Sequence, residues 1–155
     1  MEKILLIYNP NSGKKNIASH LDKIVDIFES AGKLITLYRI DEKNRMSMEE
    51  IIQNGSFDGI VVCGGDGSVN SVASMILKNG VDIPLGIIPN GTCNDFSRSL
   101  GMPSDIIRCA RIIAQGNVTR TDIGFINGSE SIFVNELAGG VLVAASFSTD
   151  QNMKK

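Results

Sequence analysis

This 155-residue sequence has no apolar stretch near the roughly 20 residues that a membrane-spanning helix requires. Its opening, MEKILLIYNPNSG, breaks at Pro10 after an apolar run too short for a secretory leader. Charge of one sign is also missing. Fifteen Lys and Arg stand against 17 Asp and Glu, a formal net charge of -2, so there is no broad basic field and duplex nucleic acid is excluded as the main partner. Cysteine is scarce and odd in number, and Cys63, Cys93 and Cys109 lack metal-ligand spacing, which fits a reducing cytosol. The Asn-x-Ser/Thr matches at Asn90, Asn117 and Asn127 therefore carry no glycosylation message. The single histidine, His20, falls in a helical pattern where a surface position outweighs a catalytic one. There is no internal repeat and no low-complexity segment. What is present, 43% hydrophobic and 21% charged residues, is ordinary for a globular protein with one sizeable core.

Apolar runs and helical periods alternate along the chain. ILLIY (4–8) reads as a buried strand followed by the turn NPNSG. Ile17, Leu21, Ile24, Val25 and Phe28 recur at helical spacing up to a stop at Gly32. LITLYRI (34–40) is a second strand, and Ser47 with Glu50 forms a capping box for a helix ending near Gly55. GIVVC (59–63) is the third strand, followed by a helix with Val69, Val72, Ala73 and Ile76 on one face. PLGII (84–88) is the fourth. A short helix runs from about Cys93 to Leu100, and another carries Ile106, Ile107, Ala110 and Ile113 with Ser104 as its expected N-cap. Continuous apolar strands between amphipathic helices indicate an α/β fold with a parallel sheet covered on both faces. After Gly116 the pattern changes to antiparallel strands, with a tight turn expected at Asn127-Gly128. We place a boundary near residue 120. Residues 1–120 form the α/β unit, and 121–155 read as the opening strands of a second, β-rich domain that is incomplete.

Turns leaving the carboxyl ends of parallel strands share one edge of the sheet, where ligands bind. Three of them here, NPNSG, GGDGS and PNGTCND, are rich in glycine and small polar residues, and each leads into a helix start that attracts anions. Together they indicate a phosphate-bearing ligand. Two common phosphate motifs are excluded. A P-loop needs glycine where Tyr8 stands and a hydroxyl where Lys15 stands, and the dinucleotide fingerprint needs glycine at Asn70. Singly, Asp66 or Ser68 reads equally as an N-cap, Asp95 as a residue favouring a helix dipole, and Asp122 as a strand-end turn residue. Lys14 and Lys15 read as a solvated pair.

YNPNSGK (8–14), GGDGSVN (64–70), GIIPNGTCNDFSRSLG (86–101) and TDIG (121–124), in that order, resemble the catalytic region of diacylglycerol kinases. The wider group includes sphingosine and ceramide kinases and is distantly similar to NAD kinases and 6-phosphofructokinases. The soluble bacterial diacylglycerol kinases are the most similar. The resemblance implies an α/β nucleotide-binding domain followed by a larger β-sandwich. It also implies ATP as co-substrate, held by Asn9, Pro10, Asn11, Ser12 and Gly13, by Gly65, Asp66, Gly67, Ser68, Val69, Asn70 and Ser71, and by Thr92. Gly64, Gly91 and Asn94 complete the candidate ATP set. Asp66, Asp95 and Asp122 match acidic residues that interact with Mg2+, directly or through water, and Asp66 is the candidate catalytic residue. Ser68 stands where the family usually has Thr, Ser71 where Glu is common, Cys93 where a small or aliphatic residue is common, and Ile40 where a polar nucleotide contact can lie.

Glycines at 64, 65 and 67 would let backbone N–H groups approach phosphate oxygens, with Ser12, Ser68, Thr92 and Asn94 as neutral donors. Three carboxylates around a triphosphate require a cation, expected to be Mg2+ bridged by water. The resemblance implies transfer of the ATP γ-phosphoryl group to a lipid hydroxyl, with diacylglycerol as the expected acceptor. The general base and the membrane-contacting parts would lie in the later domain, leaving this chain alone inactive. The expected location is cytoplasmic, peripheral at the membrane when active. A homodimer through exposed strand edges is also expected. NAD, a sphingoid base or another lipid as acceptor, and a nucleotide-binding module without activity, are the other readings.

Overall fold

The computed structural model describes residues 1–13, 17–41, 46–126 and 132–134. Four parallel strands, β1 (Glu2–Tyr8), β2 (Lys33–Arg39), β3 (Gly59–Gly64) and β4 (Leu85–Pro89), form one sheet in the order β2-β1-β3-β4. Among the described residues five helices accompany them: α1 (Leu21–Ser30), entered through a 3-10 turn at Ile17–His20, then α2 (Met48–Asn54), α3 (Asp66–Lys78), α4 (Asp95–Ser99) and α5 (Ile106–Ala114). The expected α/β architecture is what the chain adopts.

Side chains alternate across a strand, and β1 uses both of its faces. Ile4 and Leu6 pack with Ile24 and Phe28 of α1 and with Cys109 and Ala110 of α5. Leu5 and Ile7 pack on the opposite face with Ile52 of α2 and Val69, Val72 and Ile76 of α3. Every residue of β3 is buried, because strands and helices enclose it on all sides. That explains why GIVVC carries no polar residue. β2 differs. It is an edge strand, and Leu34 and Leu37 are 45% and 43% exposed, so its apolar run does not mean full burial.

Helix ends follow local chemistry. Ser47 and Glu50 close the expected capping box: the Glu50 N–H donates to Ser47 Oγ at 3.1 Å and the Ser47 N–H to Glu50 Oε2 at 2.7 Å. That backbone bond from Ser47 holds the Glu50 carboxyl below its usual range. Gly32 ends α1 with φ +75°. The expected cap of α5 is corrected by one residue. Asp105, not Ser104, is the N-cap, its carboxylate accepting from the Arg108 N–H at 2.7 Å. Past Gly116, β5 (Gly124–Phe125) and β6 (Ile132–Phe133) pair antiparallel, as the sequence indicates. The Asn127-Gly128 turn, Lys14, Lys15 and the strands expected beyond residue 134 lie outside the described residues.

Candidate active site at the carboxyl edge of the sheet

The chain leaves β1 to one side to build β2 and returns on the other side as β3. The carboxyl ends of β1 and β3 therefore flank the point where the winding reverses, which is where sheets of this kind bind ligands. The three turns singled out in the sequence meet at this edge. The Asn9 N–H reaches the Cys63 carbonyl at 3.4 Å, and the Asn90 N–H donates to the Gly64 carbonyl at 2.9 Å. The loops then touch backbone to backbone. A Cβ on Gly13, whose φ is +64°, would lie 2.1 Å from the Asn90 carbonyl oxygen, and a Cβ on Gly91 would lie 2.4 Å from Gly65 Cα. Gly64 is filled in from its own side, since a Cβ there would meet Ser68 Cβ at 2.6 Å. Gly67 alone among the second loop's glycines faces open space. Most of these glycines thus serve the packing of loop on loop, and Gly67 leaves the opening above α3.

Many of the polar side chains in the candidate set are already engaged in shaping the loops. Asn9 Oδ1 accepts from the Asn11 N–H at 2.9 Å, a turn that folds residues 9–12 over Pro10. The Ser12 hydroxyl donates its one proton to the Asn9 carbonyl at 3.0 Å. Asn94, in the left-handed region at φ 57°, bonds both ways with Gly91: the Gly91 N–H donates to Oδ1 at 2.7 Å and Nδ2 to the Gly91 carbonyl at 2.9 Å. Thr92 and Cys93 are left exposed on that loop. Val69 is buried in the core, Ser71 Oγ donates to the Gly67 carbonyl at 2.9 Å, and Asn70 Oδ1 accepts from the Val134 N–H at 3.2 Å, tying α3 to the segment after β6. What the site offers a ligand is therefore mainly backbone. α3 begins at Gly65 without a side-chain cap, and the Ser68 and Val69 amides both turn back to the Gly65 carbonyl. The Asp66 and Gly67 amides are left without an intrahelical acceptor, at the positive end of a 13-residue helix.

Asp66 does not cap its own helix. Its Oδ2 accepts from the Asp95 N–H at 3.2 Å and its Oδ1 from the Phe96 N–H at 3.0 Å, so it caps α4 from the start of α3. One carboxylate thereby fixes the second loop to the third. Asp95 lies beside it with its side chain exposed, Oδ1 being 3.5 Å from Arg98 Nη1. Asp122 lies exposed between α5 and β5. Among the described residues no group of three or more His, Cys, Asp or Glu is gathered to grip a metal directly. The donor chemistry fits a magnesium ion held through water and phosphate oxygens. Each Asp66 oxygen keeps acceptor capacity beyond its single backbone bond.

Asn90 is the residue that sequence reasoning missed. It is 2% exposed and its Nδ2 donates to both Ser12 O and Ser12 Oγ at 3.0 Å. The available signal was an amide side chain at a strand end between two small-residue loops.

The cysteines divide cleanly. Burial, and then neighbouring Cys109, push the Cys63 thiol up from 9.0 to about 12, while Cys93 is exposed. At about pH 8 an alkylating reagent should modify Cys93 readily and reach Cys63 only after unfolding, as mass spectrometry with and without denaturant would show. Rapid labelling of Cys63 in the native chain would contradict this packing. Because the folded thiol ionises higher than the unfolded one, its contribution to stability is whole below pH 9 and is lost as pH rises from 9 towards 12.

Residues 3–126 match the family model described as diacylglycerol kinase catalytic domain. A diacylglycerol kinase of Staphylococcus saprophyticus is 36% identical over 152 residues, which cover 96% of this chain and 48% of that protein. One from Staphylococcus aureus strain MRSA252 is 35% identical over 150 residues, covering 96% and 47%. Among solved structures, a diacylglycerol kinase from Bacillus anthracis str. Sterne superposes with a TM-score of 0.73 at 33% identity, over 85% of this chain and 45% of that one. The chain spans about half the length of the curated relatives it matches. With the four motifs in order, the first three joined at one sheet edge and the match running through β5, this chain belongs to the diacylglycerol kinase catalytic domain family.

Proposed function

We propose that this chain is the ATP-holding part of a kinase that transfers the γ-phosphoryl group of ATP to a lipid hydroxyl, with diacylglycerol as the acceptor. The observation that carries this is the meeting of three loops over the uncapped start of α3, with Asp66 fastening α3 to α4. Phosphoryl transfer asks a protein mainly for positioning and charge stabilisation. The Asp66 and Gly67 amides at the uncapped α3 start would receive phosphate oxygens, with open space at Gly67 supporting that reading. Thr92 and Ser68 add hydroxyls from the facing loops. Asp66 and Asp95 would hold magnesium through water, with Asp122 as the third carboxylate, and the ion supplies neutralisation of the phosphate charge when bound.

In this reading residues 1–120 are the nucleotide-binding domain and 121–155 open a β-rich second domain. That domain supplies the general base and the lipid-facing surface, so the chain alone is inactive. No helix among the described residues is long and apolar enough to cross a membrane. The lipid would then be met at the bilayer surface by a peripheral cytoplasmic enzyme. A homodimer paired through exposed strand edges is part of the same proposal.

The test is a radiolabel transfer assay on the full-length gene product in mixed micelles, offered diacylglycerol, ceramide, a sphingoid base and NAD in turn. Magnesium-dependent labelling of diacylglycerol above the others is expected. Labelling of NAD alone, or of nothing, would sink the lipid-kinase reading.

A further inference from the structure

Asn90 is where all three loops are joined. Its backbone N–H donates to Gly64 O in the second loop at 2.9 Å. Its side chain donates twice to Ser12 in the first loop, and it opens the third loop itself. The first loop also rests on its backbone, since Gly13 has no room for a Cβ beside the Asn90 carbonyl. Ser12 O can only accept, so the amide nitrogen must face it and Oδ1 must point away. That oxygen is buried and has no hydrogen-bond partner, the only such side-chain atom among the described residues.

Packing does not explain this choice. An aliphatic side chain of similar volume would fill the place without a buried, unpaired Oδ1, and would only withdraw the donor that Ser12 O and Oγ now have. What the amide uniquely provides is the pair of bonds to Ser12. The Ser12 hydroxyl in turn has its proton on Asn9 O, so it accepts from Asn90 while shaping its own loop. Ser12 is thus an internal strut of the first loop, and Asn90 braces that strut against the third.

We propose that Asn90 is a positioning residue for the nucleotide: through Ser12 it sets the first loop at the distance from the α3 start that a phosphate chain requires. This rests on the reading of the site as an ATP site. It acts on nucleotide affinity, not on the acceptor and not on the stability of the fold.

The full-length protein, unaltered and as Asn90→Leu, Asn90→Ala, Ser12→Ala and the Asn90→Ala/Ser12→Ala pair, tests it by steady-state kinetics and by calorimetric titration with magnesium-ATP. Asn90→Leu removes the orphaned oxygen and should melt within a few degrees of the unaltered protein. Its KM for ATP should nevertheless rise about tenfold, the size expected for lost buried hydrogen bonds, while the KM for the acceptor stays put. Asn90→Ala should do the same, and adding Ser12→Ala should cause little further loss, because both act through one link. An ATP KM within twofold of normal in a folded Asn90 variant, or additive losses in the pair, would overturn the proposal. If the unaltered protein binds magnesium-ATP but labels no acceptor, the kinase reading fails and the isotherms still decide the brace. No nucleotide binding by the unaltered protein would overturn both.

Discussion

Asp66→Asn in the full-length protein should reduce phosphoryl transfer by about a thousandfold or more, a loss of roughly 4 kcal/mol of transition-state stabilisation, while leaving the fold intact. The variant separates the two things that the carboxylate does. Asparagine keeps one side-chain oxygen in place of Oδ1, so the Phe96 N–H retains its acceptor and α4 keeps half of its cap. The negative charge that would face a magnesium ion and phosphates is lost. Asp66→Ala removes both, and should cost about 1 kcal/mol of stability besides, the usual size of a lost helix cap. Circular dichroism and thermal melting check the fold, and single-turnover transfer checks the chemistry. Near-normal turnover in Asp66→Asn would remove this residue from the catalytic role and leave it a cap for α4.

The largest structural effect should come from a methyl group. In Gly91→Ala the new carbon would lie 2.4 Å from Gly65 Cα and 2.8 Å from Asn94 Oδ1, against backbone on one side and a doubly bonded amide on the other. Neither can swing aside, so the second and third loops must separate. Overpacking of that kind costs about 1–3 kcal/mol. Gly13→Ala meets a harder wall, 2.1 Å from the Asn90 carbonyl oxygen, and adds about 1–2 kcal/mol for a side chain held at φ +64°. We expect each variant to lower the urea midpoint, Gly13→Ala more, and to abolish detectable magnesium-ATP binding. Unchanged nucleotide affinity in both would mean that the joined loops do not form the binding surface.

The architecture was legible in the sequence because it is written in local patterns. ILLIY and GIVVC are short apolar runs bounded by turn residues, the pattern of buried parallel strands, and the capping box at Ser47 and Glu50 needs four consecutive residues. The convergence of three loops followed from parallel topology, with no contact known. Less legible was what each loop residue does, because its partners are remote in sequence. Asp66 bonds to residues 29 and 30 positions on, and Asn90 to Ser12, 78 positions back. No periodicity encodes such a pair. The glycines were recognised as a cluster, but the clearance they give is largely to one another, which only the packed loops reveal. The N-cap of α5 fell between adjacent Ser104 and Asp105, where either side chain has the right chemistry and register alone decides.

The sheet order has a consequence for how the molecule is made. β1 leaves the ribosome before the other strands of this sheet and, like β3, ends up with partners on both edges, β2 on one and β3 on the other. Its first edge is covered once residue 39 has emerged, but the second stays bare until residue 64. At the usual 5–20 residues per second that interval lasts on the order of seconds. Throughout it, the nascent chain displays a strand whose middle, Ile4 to Ile7, is wholly apolar, with half of its hydrogen-bonding groups unpaired. Part of this strand's exposure to wrong pairing therefore falls in translation, before the glycine loop that follows β3 exists.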